Sequence, residues 1–287
     1  MNSVLKTGIL LAVLTVLLVF VGQLLGGSQG ATTAFLFALV INLGSYWFSD
    51  KIVLAMYRAK PLSEAEAPQV YRAVREIATR DHIPMPKLYL LPTITPNAFA
   101  TGRSPKHASV AVTSGLLKIM SEEELKGVLA HELSHVKNRD TLIMSIAAAV
   151  AGAISMLASW ARWGMMWGGR SNREERNGGN AAFQLIAMLI IAIFAPLAAM
   201  LIQLAISRTR EYSADETGAR LTGNPNGLAN ALEKLDAAVR ACPLEGANPA
   251  TAHLFIVNPL RADVLAKLFS THPPIAERVR RLRSMRL

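Results

Sequence analysis

The stretch EEELKGVLAHELSHVKNRD, residues 122–140, sets two histidines, a glutamate and a charged exit inside one apolar run. Ser121 followed three residues later by Glu124 forms a capping box, and Leu125, Val128, Leu129 and Val136 recur at helical spacing. This pattern predicts a helix from about Glu122 to about Asn138. On such a helix His131 and His135 lie four residues apart, so both imidazoles leave one face, where a single zinc ion can take a nitrogen from each. Glu132 is offset by about 100° around the axis and points beside the metal position, placed to take a proton from water there. The competing reading is an ordinary amphipathic helix with two histidines at its polar edge, because short HExxH strings also arise by chance.

The rest of the chain narrows the choice. Its 287 residues are 52% hydrophobic and only 17% charged, with a mean hydropathy of +0.31, the balance of a membrane protein. TGILLAVLTVLLVFVGQLLGG (7–27) and ATTAFLFALVINLGSYWF (31–48) carry no charge and approach the ~20 residues a spanning helix needs. TLIMSIAAAVAGAISMLASWA (141–161) and AAFQLIAMLIIAIFAPLAAMLIQLAIS (181–207) follow, the last with Pro196 as an expected kink. Lys6 before the first apolar run suits a signal peptide, but no small-x-small cleavage site precedes the next run, so a retained anchor is expected.

The net charge of +10 raises nucleic acid as a partner. The basic residues instead flank the apolar segments and the C-terminal helix, without a recognisable nucleic-acid module, so anionic lipid headgroups are the expected counter-charge. The single cysteine, Cys242, excludes an internal disulfide and a cysteine zinc cluster. Any metal must use histidines and carboxylates.

Between the second and third apolar segments, APQVYRAVREIATRDH reads as a helix with Pro68 in its first turn. KLYLL (87–91), AFAT (98–101) and HASVAVTSG (107–115) read as short strands of one small sheet leading into the HExxH helix. After the fourth segment, one helix is expected to begin at Asn224 and Pro225 and another within HPPIAERVRRLRSM. The Gly, Asn and Arg cluster at 168–180 is the expected flexible loop.

A catalytic zinc takes three protein ligands and keeps one position open. SRTREYSADETGAR (207–220) supplies candidates for the third, because Glu211 and Asp215 are four apart and share a helical face. HELSH at 131–135 and EYSAD at 211–215, on either side of a membrane hairpin, resemble the HtpX-type integral membrane zinc metalloproteases, relatives of the type I CAAX prenyl proteases. NAFATG (97–102) and HPPIAER (272–278) resemble further segments of that family, so the likeness runs through nearly the whole chain. About four spans favour the HtpX type, since the CAAX enzymes have more.

The resemblance implies a mainly α, α+β fold: transmembrane helices carrying a gluzincin-like zinc protease domain with a small β-sheet. The organisation is then two N-terminal transmembrane helices (1–48), a first protease part (49–140), a membrane hairpin (141–207) and a second protease part (208–287). It further implies one Zn²⁺ per chain on His131, His135 and Glu211, with Glu132 as general base and Asp215 orienting a ligand histidine through its other ring nitrogen. His272 would donate to the oxyanion of the tetrahedral intermediate, with Arg278 anchoring its segment. The plain alternative for His272 is a helix N-terminal residue ahead of two prolines. Asn97, Ala98, Phe99 and Ala100 would form an edge strand whose free backbone groups pair with an extended peptide substrate, the alternative being a plain turn. His82, His107 and His253 have no spaced partners and read as surface or packing residues, and Arg280, Arg281, Arg283 and Arg286 as a solvated face that can touch lipid heads.

Expected function follows: a zinc endopeptidase of the plasma membrane (the inner membrane in a bacterium), cleaving misfolded or damaged membrane proteins as stress-response quality control. The rival reading is a non-catalytic membrane scaffold or chaperone that keeps zinc for structure, against which stands Glu132, which a structural site does not require. A transporter fits less well, because the spans are nearly free of charge. Lys51, Arg58, Lys60, Lys137, Arg139, Arg208 and Arg210 crowd the segment ends, which predicts a multi-pass protein with its protease domain in the cytoplasm. One feature departs from that pattern: Arg162, Arg170, Arg173 and Arg176 in the loop between the third and fourth segments put positive charge where an outside loop is expected.

Overall fold

The computed structural model describes residues 3–150, 208–244, 251–258 and 273–287. Helix α1 (Ser3–Met56) is broken at Gly26 and Gly27, and Gly27 takes φ +58°, a left-handed conformation that suits glycine. The chain doubles back there. Asn42 in the second arm donates through Nδ2 to the Leu11 carbonyl at 3.3 Å and to Thr15 Oγ1 at 2.8 Å in the first. The two arms touch where Gly22 faces Gly30, too closely for a side chain at either. Among the described residues one helix, Gly26–Met56, is long and apolar enough to cross a membrane; the apolar helices Thr7–Phe20 and Asp140–Val150 are shorter. The second arm runs eight residues beyond the expected end at 48, and this extension buries Val53 and Leu54 in a cluster with Phe99 and Phe255, packing that holds the helix past the charged Asp50 and Lys51. Segment 151–207, with Pro196, the loop at 168–180 and its arginines, lies outside the described residues.

Among the described residues four strands follow: β1 (Lys60–Pro61), β2 (Lys87–Leu91), β3 (Ala98–Thr101) and β4 (Ser109–Thr113). Their order is β1-β2-β4-β3, with β2 and β4 parallel and the other two pairings antiparallel. The third expected strand is shorter than 107–115. Pro105–His107 form a 3₁₀ turn before it, and Thr113 caps a short helix, α3 (Ser114–Ile119), by accepting from the Leu116 N–H. β1 is a two-residue strand that no hydrophobic pattern announces.

Helix α2 (Pro68–Arg80), helix α4 (Glu122–Lys137), helix α6 (Arg208–Thr222) and helix α7 (Pro225–Ala241) pack around one core, with α5 (Asp140–Val150) leaving α4 after a two-residue turn and α8 (Ile275–Ser284) closing it. The core is built from Val74 and Ile77, Val110 and Val112, Leu125, Val128, Leu129 and Leu133, and Leu228, Leu232 and Leu235. α4 is the central element, and its apolar stripe is buried from Leu125 to Val136. Two glycines let its neighbours close on it. A Cβ at Gly127 would come 2.7 Å from the Leu228 nitrogen, and one at Gly218 would come 2.9 Å from the His131 nitrogen.

Candidate metal and catalytic site

The α4 N-terminus is built as the sequence predicts. Glu124 N–H donates to Ser121 Oγ at 3.3 Å, and Ser121 N–H donates to the Glu124 carboxylate at 2.9 Å. Two and a half turns on, His131, Glu132 and His135 are all buried against α6, which contributes Glu211 and Asp215.

Each histidine uses its two nitrogens differently. His131 Nδ1 lies 2.9 Å from Asp215 Oδ1, and His135 Nδ1 lies 3.3 Å from Asp140 Oδ2. Both Nε2 atoms turn to Glu211: His131 Nε2 is 3.8 Å from Oε2, and His135 Nε2 is 3.5 Å from Oε1. One donor atom from each of His131, His135 and Glu211 falls within 4.8 Å of the others. Ligands about 2.0–2.2 Å from a tetrahedral zinc stand roughly 3.3–3.6 Å apart, so this trio can hold the ion once its atoms draw together by up to about 1 Å.

The charges fit as well. Four buried carboxyls, Glu132, Asp140, Glu211 and Asp215, gather here, against the guanidiniums of Arg278 and Arg210. Burial is the largest influence on His131 and pulls it down to about 4, leaving a neutral imidazole. Burial also lowers His135, but Asp140, Glu211 and Glu132 overcome it and bring the ring up to about 9. The carboxylates that hold a proton on His135 are the charges that would receive a cation. Burial pushes the Glu132 carboxyl up to about 8, opposed by His135 and by a backbone hydrogen bond from Ala100.

Arg278 lies at the back of the site, with no exposed surface. Its Nε and Nη2 donate to Asp215 at 2.8 and 2.7 Å, its Nη1 donates to the Ile256 carbonyl at 3.1 Å, and Nη2 passes 3.4 Å from His131 Nδ1. Against Asp215 this outweighs burial, which alone would raise the acid, and holds it below the usual carboxylate range. His272 lies outside the described residues.

β3 is an edge strand, as NAFATG suggests, but its outward groups are not free. The Ala98 carbonyl accepts from the Ile256 N–H at 3.2 Å, and the Ala100 N–H faces Glu132. Asn97 is buried, and its amide donates to the Val257 carbonyl at 2.7 Å. Phe99 turns the other way, into an aromatic cluster with Tyr57 and Phe255. Sequence reasoning passed over Asp140, whose one available signal is an acid five residues beyond His135, just past the helix end. His253 does pack inside, its Nε2 3.1 Å from the Met144 carbonyl.

Known proteins bear on this arrangement. Residues 64–286 match peptidase family M48. A Protease HtpX homolog from Syntrophobacter fumaroxidans is 59% identical over 99% of this chain and 100% of its own length. One from Pyrococcus furiosus is 55% identical over 98% of this chain and 95% of its own. A crystal structure of S. mikatae Ste24p is 18% identical with a TM-score of 0.48, over 86% of this chain and 57% of that one. The match to the family across both halves of the site, and the relatives that share the chain from end to end, make this protein a peptidase of HtpX type, a member of peptidase family M48.

Proposed function

We propose that the chain is a membrane-anchored zinc endopeptidase that hydrolyses misfolded or damaged membrane proteins. The observation that carries this reading is the convergence of His131 Nε2, His135 Nε2 and Glu211 beside Glu132. His131, His135 and Glu211 would hold the zinc, with Asp215 fixing the His131 ring. When bound, zinc supplies Lewis acidity, lowering the pKa of water toward about 7 and polarising the peptide carbonyl. Glu132 accepts the proton of the attacking water at its carboxylate and returns it to the leaving amine. Burial raises this carboxyl above the usual carboxylate range, and a cation beside it would bring it back toward the ionised form that accepts the proton. His272 donates to the developing oxyanion, and Arg278 anchors its segment to Asp215.

The substrate lies extended along β3, pairing with its outer edge at Ala98 and Ala100, and takes over the Ala98 carbonyl from Ile256 and the Ala100 N–H from Glu132. The apolar helix Gly26–Met56 supports a membrane location. Asp140 and Arg210, on either side of 141–207, approach to 3.6 Å, which supports an even number of crossings by that segment and one shared compartment, the cytoplasm, for both halves of the protease domain. Zinc content and casein cleavage, measured for wild type and Glu132→Gln in detergent, test the reading. The amide keeps the shape but cannot accept a proton, so zinc stays and turnover falls by about 10²–10⁴-fold. Wild-type turnover in Glu132→Gln would remove Glu132 from the mechanism.

A further inference from the structure

His131 has a carboxylate partner on α6; His135 has a different one, from another part of the chain. Asp140 is the first residue of α5, two residues beyond the α4 C-cap, where Arg139 takes φ +59° to turn the chain back. That turn carries the buried Asp140 carboxylate under the His135 ring, with Oδ2 3.3 Å from Nδ1. Its other oxygen, Oδ1, lies 3.6 Å from Nη1 of Arg210, the residue before Glu211.

We propose that Asp140 is the positioning residue for His135, fixing the Nδ1–H tautomer so that Nε2 presents its lone pair beside Glu211, and that Arg210 holds Asp140 in place. The proposal rests on the reading of His131, His135 and Glu211 as the metal site. A histidine bound through one nitrogen needs its other N–H satisfied and its ring fixed, and buried at this position His135 has Asp140 for both purposes. Arg210 serves a second purpose. Adjacent to Glu211 on α6, it ties the start of the third apolar segment to the helix that follows the fourth, at the side of the ligand histidine.

The experiment uses the full-length protein in detergent, stripped of metal and titrated with Zn²⁺ against a competing chelator, and with Co²⁺ followed by visible absorption. Asp140→Ala should weaken zinc about 10–100-fold and alter the Co²⁺ spectrum. Asp140→Asn keeps an oxygen that accepts from Nδ1–H, so it should recover most of that loss. Arg210→Gln should weaken zinc less than Asp140→Ala and add nothing to it in the double variant, as expected of one chain of contacts. Melting of the metal-free proteins separates a general folding defect from loss of positioning, which leaves that melting near wild type. Wild-type affinity and Co²⁺ spectrum in Asp140→Ala, alongside lost binding in Glu211→Ala, would overturn the role of Asp140 and leave the metal site standing. Equal losses in Asp140→Ala and Asp140→Asn would also overturn it. No stoichiometric zinc in the wild type would overturn both readings.

Discussion

Arg278 and Asp215 form a buried two-point ion pair, Nε to Oδ2 at 2.8 Å and Nη2 to Oδ1 at 2.7 Å, and the same Asp215 oxygen that takes Nη2 faces His131 Nδ1. Truncating one side of such a pair strands the other charge. Arg278→Met is therefore expected to destabilise the protein by about 3–5 kcal/mol. Asp215→Ala should weaken zinc by about 10–100-fold. Denaturation of Arg278→Met and chelator competition for Asp215→Ala check the two halves. A loss under about 1 kcal/mol in the first would mean the pair only breaks even against its desolvation.

A pH dependence follows from the α4 cap, at the opposite end of the helix from His135. Burial pushes Glu124 up, but Lys234 and the Ser121 backbone and hydroxyl outweigh it, so its pKa is lowered on folding. The folded state then favours the ionised form. Its contribution is fully present above the unfolded value near 4.5 and is lost as pH falls through the lower folded value. The stability gap between wild type and Glu124→Gln should be constant from pH 6 to 7 and shrink below about 4.5. A gap that grows on acidification would reverse the sign.

Asn97 is expected to matter for stability. Its amide donates to the Val257 carbonyl, and its oxygen accepts from the N–H groups of Ala98 and Val257 at 3.1 and 3.4 Å. Asn97→Ala leaves these groups buried without that partner, at a cost of about 1–3 kcal/mol. Urea unfolding measures it, and an unchanged midpoint would show that the segment around Val257 is held without the amide.

Cys242, the partly exposed C-cap of α7, is a native probe of sidedness. A membrane-impermeant maleimide should leave it unlabelled in intact cells or spheroplasts and label it once the membrane is opened and the protein denatured. Strong labelling of sealed cells would place the protease domain outside.

What the sequence disclosed was whatever repeats locally. Ser121 and Glu124 mark the start of α4 to the residue, and β2 and β3 match the expected strands because Pro, Gly and Asn bracket them. The β4 boundaries were harder to read, since Thr113 serves both as the last strand residue and as a helix cap. Glu211 and Asp215 were legible as a pair at one-turn spacing. Asp140 was not, because its partner His135 is reached by a reversal at Arg139 that no periodicity announces. The occupied edge of β3 was also hidden, as Ile256 lies 158 positions beyond Ala98 and only tertiary packing brings them together.

Gly218 has a consequence for how this site can vary. It sits seven residues after Glu211 on the face of α6 that meets α4, and its missing side chain sets how near the two helices stand at His131. The distance a carboxylate must span to join the two imidazoles is thereby decided by a residue that has nothing to coordinate with. Even a single methyl group at 218 would wedge the helices apart and lengthen that reach, while His131, His135 and Glu211 all stayed in place in the sequence. On this seam, helix spacing sets how far His131, His135 and Glu211 stand from one another, and an intact inventory of donors does not guarantee that they meet.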